Sequence, residues 1–280
     1  MKKLFNVILS AALALCLPLS FAACGESKNT IKVGASSTPH AEILEQVKDN
    51  LKAEGWTLKI RIMDDYVTPN TALEQGDLDA NYFQHVPYLT DFNANNGTHL
   101  VSAGAVHYEP FAVYGKNVSQ SDFDTVKTGR IIYIPSDGSN CTRALFVLQD
   151  EGYITLRAGV SASDTLSVQD IANANGNTIT PMEASTLPAQ LNNASSGTIA
   201  VINGNYALAA NFDIANALAL ESAQGAAAQL YANIIAVKQG NEQSEKTIAL
   251  MNALLSQEVF DYINNTYGGA VQPSFTIPVL

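Results

Sequence analysis

Cysteine, basic side chains and long apolar runs are all scarce in this 280-residue chain, and each shortage closes off a class of function. There are 3 cysteines, at positions 16, 24 and 141, with no Cys-x-x-Cys pair. That excludes a cysteine zinc site and argues against a disulfide framework. Lys plus Arg number 15 against 26 Asp plus Glu, a net charge of -11, so there is no basic face for a nucleic-acid backbone. Beyond residue 23 no stretch offers the uninterrupted apolar run that a membrane-crossing helix requires. The sequence has no Gly-x-Ser-x-Gly, no His-Glu-x-x-His and no Walker loop. Its four histidines, at 40, 85, 99 and 107, lack metal-ligand spacing, so neither a metal nor a cofactor is expected. What is present is apolar material for a core: 47% of residues are hydrophobic and only 15% charged, enough for one large domain or two modest ones.

The first residues read as an address. Lys2 and Lys3 precede a run from Leu4 to Ala23 that only Asn6, Ser10, Pro18 and Ser20 interrupt. This is the pattern of a secretory signal. It ends in Phe21-Ala22-Ala23-Cys24, which resembles a bacterial lipobox, with Phe21 where leucine is usual. The reading is a signal peptide over 1–23 and a lipidated tether over 24–30, with Cys24 carrying the lipid. It makes the chain a body held at the extracytoplasmic face of a membrane by its N-terminus. An ordinary cleaved signal with an incidental cysteine is the plainer alternative.

After the tether, strands and helices alternate. Ile31 to Ala35 is a short apolar strand, and Thr38-Pro39 supplies a cap and first-turn proline for a helix that Gly55 stops. Further strands are expected at 58–63, 78–83 and 101–106, with helices from Thr68-Pro69 to Gly76 and from Val86 to Asn95 between them. The pattern restarts after Pro110, with strands at 111–114, 130–134, 178–182, 198–202 and 232–237. Helices follow Ser139-Asn140, span Leu187 to Leu191, and occupy 244–255 and 258–265. Such alternation predicts an α/β fold with a mainly parallel sheet in two lobes. Lobe 1 takes residues 31–111 and 231–280, and lobe 2 takes 112–230. A ligand cleft lies between them, beyond the carboxyl ends of strands.

Several residues could carry chemistry there. Asp79 to Leu89 packs Tyr82, Phe83, His85 and Tyr88 where a strand becomes a helix. The aromatics could wall a ligand while His85 offers a polar edge, or they could be core with His85 a satisfied polar group. Arg143 is expected in the first turn of the helix after Pro135, where free N–H groups favour an anion. It reads either as a fork for a carboxylate or as a surface partner of Asp137. Asn203 and Asn205 follow a buried strand, with turn chemistry as the plainer account of Asn203-Gly204. Asn233 sits among apolar neighbours and is harder to explain that way. Cys141, at a helix N-terminus, would have a lowered thiol pKa.

These stretches resemble the methionine-binding lipoproteins of bacterial ABC importers, the NlpA lipoprotein family. The likeness runs from Ile31 to Phe275. It is carried by Asp65-Tyr66 with Pro69-Asn70 and Ala72-Leu73, then by Gly76-Asp77-Leu78-Asp79-Ala80-Asn81 through Phe83-Gln84-His85 and Pro87-Tyr88-Leu89. Glu109-Pro110 with Tyr114, and Arg143-Ala144-Leu145 with Leu148-Gln149, come next. Ile202-Asn203-Gly204-Asn205-Tyr206-Ala207 and Tyr231-Ala232-Asn233-Ile234-Ile235 complete the set. The resemblance implies a two-lobe periplasmic-binding-protein fold, type II-like, closing on a free amino acid. It implies that Arg143 grips the ligand carboxylate and that Asn203 and Asn233 hold the carboxylate and ammonium. Tyr66, Phe83, His85 and Tyr88 would surround the side chain. The implied function is a lipid-anchored solute-binding protein, not an enzyme. It would capture methionine, with L-methionine favoured, and pass it to the permease of an ABC importer. Other readings are a binding protein for another amino acid or a methionine dipeptide, an extracellular hydrolase using Cys141 or a carboxylate pair, and a surface scaffold.

Overall fold

The computed structural model describes residues 28–221 and 230–277. The signal, Cys24 and all but the last three residues of the tether therefore lie outside the described residues.

Four strands open the chain: Thr30–Ala35 (β1), Thr57–Ile62 (β2), Ala80–His85 (β3) and Leu100–Tyr108 (β4). Ala112–Gly115 (β5), Ile131–Pro135 (β6), Thr155–Leu156 (β7), Ile171–Asn173 (β8), Thr178–Met182 (β9), Ile199–Ile202 (β10) and Ala219–Leu220 (β11) follow. Asn233–Lys238 (β12) and Gln272–Pro273 (β13) close the series. One sheet has the order β13-β4-β12-β3-β1-β2 and another the order β11-β5-β10-β6-β9, with β7 and β8 forming a small hairpin pair. The chain passes from the first sheet to the second between Tyr108 and Ala112, and it rejoins the first at Asn233.

The sheets are mixed rather than mainly parallel. β1 pairs in parallel with β2 and β3, and β6 with β9 and β10. The return strand β12 runs antiparallel to both β3 and β4, and β5 runs antiparallel to β10 and β11. The strand–helix alternation reports local crossovers, but it does not register a strand that arrives from another lobe. Such a strand enters the sheet from the opposite end.

The helices follow their apolar spacing, with three local departures. Glu42–Gln46 (α1) and Lys48–Ala53 (α2) bury Ile43, Leu44 and Leu51 against the first sheet, as the spacing requires. They are two helices rather than one, broken at Val47, where ψ is 0. Thr38 does not cap them: it is extended (φ -137, ψ 143), as the residue before a proline tends to be. Thr68–Gln75 (α3) and Val86–Asn96 (α4) end at Gly76 and Gly97, both in the left-handed region. After Gln120–Thr125 (α5), Gly138–Asp150 (α6) is capped by Asp137, which accepts from the Asn140 N–H at 3.0 Å, and not by Ser139 or Asn140. Leu187–Asn192 (α7) packs on β10 and β6, Gly204–Ala209 (α8) lies against α7 and the Ser37–Ala41 segment, and helices Glu245–Leu254 and Gln257–Thr266 cover the first sheet.

Each sheet has its own core. Ile31, Val33, Tyr82, Val106, Ile235 and Leu250 belong to the first, and Phe111, Val113, Ile132, Ile134, Leu145 and Val201 to the second. A third cluster belongs to neither alone. Tyr66, Phe83, Tyr88 and Phe92 from the first sheet's side pack on Tyr114, Leu187, Ile202 and Tyr206 from the second's. The two halves meet on an aromatic seam, which positions the site.

Candidate ligand-binding site

Tyr66, Phe83, His85, Tyr88, Arg143, Asn203 and Asn233 all line one cavity of about 330 Å³ between the two sheets. Gln84, Glu109, Phe111, Asn140, Gly204 and Asn205 complete its wall.

The apolar end is an aromatic cage. Tyr66 has its ring centroid 5.7 Å from Phe83, 5.6 Å from Tyr88 and 4.9 Å from Tyr206. Hydroxyl contacts pin the rings, two of them across the cleft. Tyr66 Oη donates to Asn205 Oδ1 at 2.6 Å, Tyr88 Oη to the Tyr66 carbonyl at 2.7 Å, and Tyr206 Oη to the Asp64 carbonyl at 3.1 Å. His85 is both cavity wall and satisfied polar group. Its Nδ1 accepts from the Tyr88 N–H, capping α4, and its Nε2 lies 3.2 Å from Asn140 Oδ1 on the opposite half.

The polar end centres on Arg143, which departs from expectation in two ways. It is the sixth residue of α6, not in its first turn, and its partner is Glu221 rather than Asp137. Nε donates to both Glu221 oxygens at 2.8 Å, and Nη2 donates to Glu221 and, at 2.6 Å, to the Glu109 carbonyl. The guanidinium carbon lies 4.0 Å from the Phe111 ring centroid and 4.7 Å from that of Tyr231. Burial alone would depress the Arg143 pKa, but Glu221 overrides it and holds the cation firmly charged. Nε and Nη2 are thus committed within the protein, and among the described residues no acceptor is hydrogen-bonded to Nη1.

Asn203 and Asn233 approach the cavity from opposite halves. Asn203 precedes α8 in the cap position, yet its side chain makes no cap bond, and its Oδ1 is buried with no partner among the described residues. Asn233 Oδ1 lies 2.9 Å from His40 Nε2. Glu109 reaches so close to the loop after β10 that a Cβ on Gly204 would stand 2.6 Å from its Oε2, so only glycine fits there. Burial pushes the Glu109 carboxyl above the usual range.

Two further groups bear on the chemistry of the site. Cys141 is not an activated thiol: burial, with Asp137 nearby, pushes it up to about 11, so the helix terminus does not govern it. His40, His107 and Glu109 lie close enough to hold a metal ion by one atom each, a grouping invisible in their sequence spacing. Their atoms are already engaged with one another and with Tyr82 and Asn233, so the group reads as a hydrogen-bond network.

His85 also has a stability consequence. Burial, with Arg143 nearby, pushes it down to about 3. Its free-chain value is 6.5, so as pH falls from 7 to 5 the unfolded chain takes up this proton and the folded protein does not. Stability is therefore lost over that interval, by about 2 kcal/mol from this group. His85→Gln is expected to shrink the stability difference between pH 7 and pH 5 by that amount in denaturant titrations. An unchanged difference would mean that His85 titrates normally in the fold.

Four of the surrounding groups had little signal in the sequence. Glu109 belonged to a motif without an assigned role, and Glu221 sits in an alanine-rich stretch with nothing to mark it. His40 and His107 were simply histidines without ligand spacing. Their importance comes from where β1, β4 and the two chain crossings meet.

A model of the family described as NlpA lipoprotein matches residues 31–275. The chain is 38% identical to the methionine-binding lipoprotein MetQ of Bacillus subtilis (strain 168), over 98% of this chain and 99% of that one. Among solved structures it resembles a nutrient binding protein from Burkholderia cenocepacia bound to methionine, at 38% identity and a TM-score of 0.79. The match covers 88% of this chain and 100% of that chain. Lipoprotein Tp32 from Treponema pallidum is similar at 37% identity and a TM-score of 0.79, over 88% of this chain and 99% of that one.

Proposed function

The chain belongs to the NlpA lipoprotein family, and from that premise we propose that it is a solute-binding protein that captures methionine for an ABC importer. The observation that carries the ligand reading is the division of the cavity into a polar head and an aromatic cage. Arg143 Nη1 and a donor from Asn233 suit a carboxylate, and the unpartnered Asn203 Oδ1 suits an ammonium. Tyr66, Phe83, His85 and Tyr88 suit a thioether, which is polarizable and favours ring faces and edges. The relatives named above, one of them with methionine bound, support the same ligand. In this reading 31–111 with 231–280 forms one lobe and 112–230 the other, closing about the crossings near Glu109 and Glu221. The permease is the partner, and the reading assigns no reaction to the protein.

The test is calorimetric titration of the mature protein with L-methionine, after unfolding and refolding to strip copurified ligand. One-to-one binding at micromolar affinity or tighter, about -8 kcal/mol or better, is expected. Absence of heat with L-methionine but binding of D-methionine, a methionine dipeptide or another amino acid would move the ligand and keep the class. Absence of binding to all of them would overturn the reading.

The attachment is proposed at Cys24, which lies outside the described residues. No helix among the described residues is long and apolar enough to cross a membrane. Labelled palmitate is expected to enter the wild-type protein and Cys141→Ala but not Cys24→Ala, because Cys141 is buried in the second core. Label retained in Cys24→Ala would place the lipid elsewhere.

A further inference from the structure

We propose that His40 is a positioning residue that fixes the Asn233 amide with its NH₂ edge toward the ligand, and so makes the site select a carboxylate over an amide. The proposal rests on the amino-acid reading of the cavity. It concerns a side chain that lines no part of that cavity.

The hydrogen-bond pattern sets the proton positions. With Glu109 as a carboxylate, its Oε1 can only accept, so His107 Nε2 carries the proton and donates it at 2.7 Å, which leaves His107 Nδ1 to accept from the Tyr82 hydroxyl. His40 Nε2 lies 3.5 Å from the same Glu109 oxygen. An unprotonated nitrogen there would set a lone pair against an oxygen that is already an acceptor. His40 is therefore protonated on Nε2, and its Nδ1 is the bare nitrogen, buried without a partner among the described residues. His40 Nε2–H can then meet only an acceptor at 2.9 Å, which is Asn233 Oδ1. With its oxygen turned toward His40, Asn233 presents only donors to the ligand. The rings hold this arrangement: His40 packs edge-on against Tyr82 at 4.7 Å and His107 at 4.9 Å, and it is 1% exposed. Without the His40 proton nothing among these contacts distinguishes the two ends of the amide, and a flipped Asn233 would offer its oxygen to the ligand.

The experiment compares L-methionine with L-methioninamide, whose uncharged head can donate as well as accept. The mature wild-type protein is expected to prefer the acid strongly. His40→Phe keeps a ring against Tyr82 and His107 but has no N–H. It is expected to lose about tenfold or more in methionine affinity, and the preference for acid over amide should contract by the same factor. His40→Gln places an amide N–H where Nε2 stands and is expected to retain most of the preference. Asn233→Asp keeps an acceptor for His40 and turns a carboxylate oxygen toward the ligand, so it should prefer the amide. An undiminished acid preference in His40→Phe, an equal loss in His40→Gln, or an acid preference in Asn233→Asp would each overturn the proposal. Imidazole nitrogen shifts of the ligand-free protein decide the proton independently. Protonation of His40 at Nε2 is expected, and protonation at Nδ1 would overturn the inference whatever the ligand. Failure of the wild-type protein to bind either compound would instead overturn the methionine reading and leave the shift measurement to decide His40.

Discussion

Arg143→Ala is expected to weaken methionine binding by about 2–5 kcal/mol, because the ligand carboxylate would enter a buried site without its cationic partner. That is a loss of about thirtyfold to several thousandfold in affinity. The size follows from how completely the guanidinium is enclosed. Its side chain is 4% exposed, it lies over the Phe111 and Tyr231 rings, and Nε and Nη2 are fixed by Glu221 and the Glu109 carbonyl. A charge held this rigidly offers Nη1 in one direction at little further cost in side-chain entropy. The same enclosure complicates the single variant. Removing Arg143 leaves the Glu221 carboxylate, 10% exposed, with only the Tyr108 hydroxyl and the Phe111 N–H among the described residues. A buried carboxylate without its cation destabilises the fold. Arg143→Ala with Glu221→Gln separates the two effects. The double variant should recover much of the lost thermal stability and none of the lost affinity. Recovery of both would remove Arg143 from the ligand site and make it a structural ion pair.

The fold was legible wherever apolar spacing is local. Ile43, Leu44 and Leu51 announce a helix face, Gly76 and Gly97 the ends of α3 and α4, and Thr178 to Met182 a strand, because each signal is local in the sequence. Strand direction was not legible. Whether β12 lies parallel or antiparallel to β3 depends on the route of the chain through the second sheet, which no window of residues contains. The site divides in the same way. Phe83, His85 and Tyr88 cluster in the sequence between Asp79 and Leu89, Asn203 and Asn205 follow a buried strand and Asn233 begins one, so these stand out as residues. The family likeness is what assigned them to a ligand. The groups that orient them were hidden: Glu221 lies 78 residues from Arg143, and Asn233 lies 193 residues from His40. A hydrogen bond across that distance leaves no periodicity behind it.

Asn203→Leu should move stability and affinity in opposite directions, which no ordinary packing residue does. Asparagine is a favoured cap, yet here its side chain makes no bond to α8, so the helix gives up nothing local when it is replaced. Its backbone, at φ -60 and ψ 139, is one that leucine adopts freely. What the wild-type protein carries instead is a buried acceptor, Oδ1, with no partner among the described residues, and such a group costs about 1–3 kcal/mol. Leucine of similar size removes that cost, so the ligand-free variant should be more stable than wild type by an amount of that order. The ligand ammonium then loses the acceptor turned toward it. A hydrogen bond to a charged group contributes about 1.5–3 kcal/mol, so affinity should fall about tenfold to a hundredfold. Denaturant titration of the refolded, ligand-free variant and calorimetry on the same sample read the two quantities separately. If both fall, Asn203 is an element of the second core whose acceptor is satisfied in solution. If stability rises while affinity falls, the orphaned oxygen is an interaction the fold leaves unmade until a ligand arrives, and its stability cost is a measure of how strongly the site is built for an ammonium.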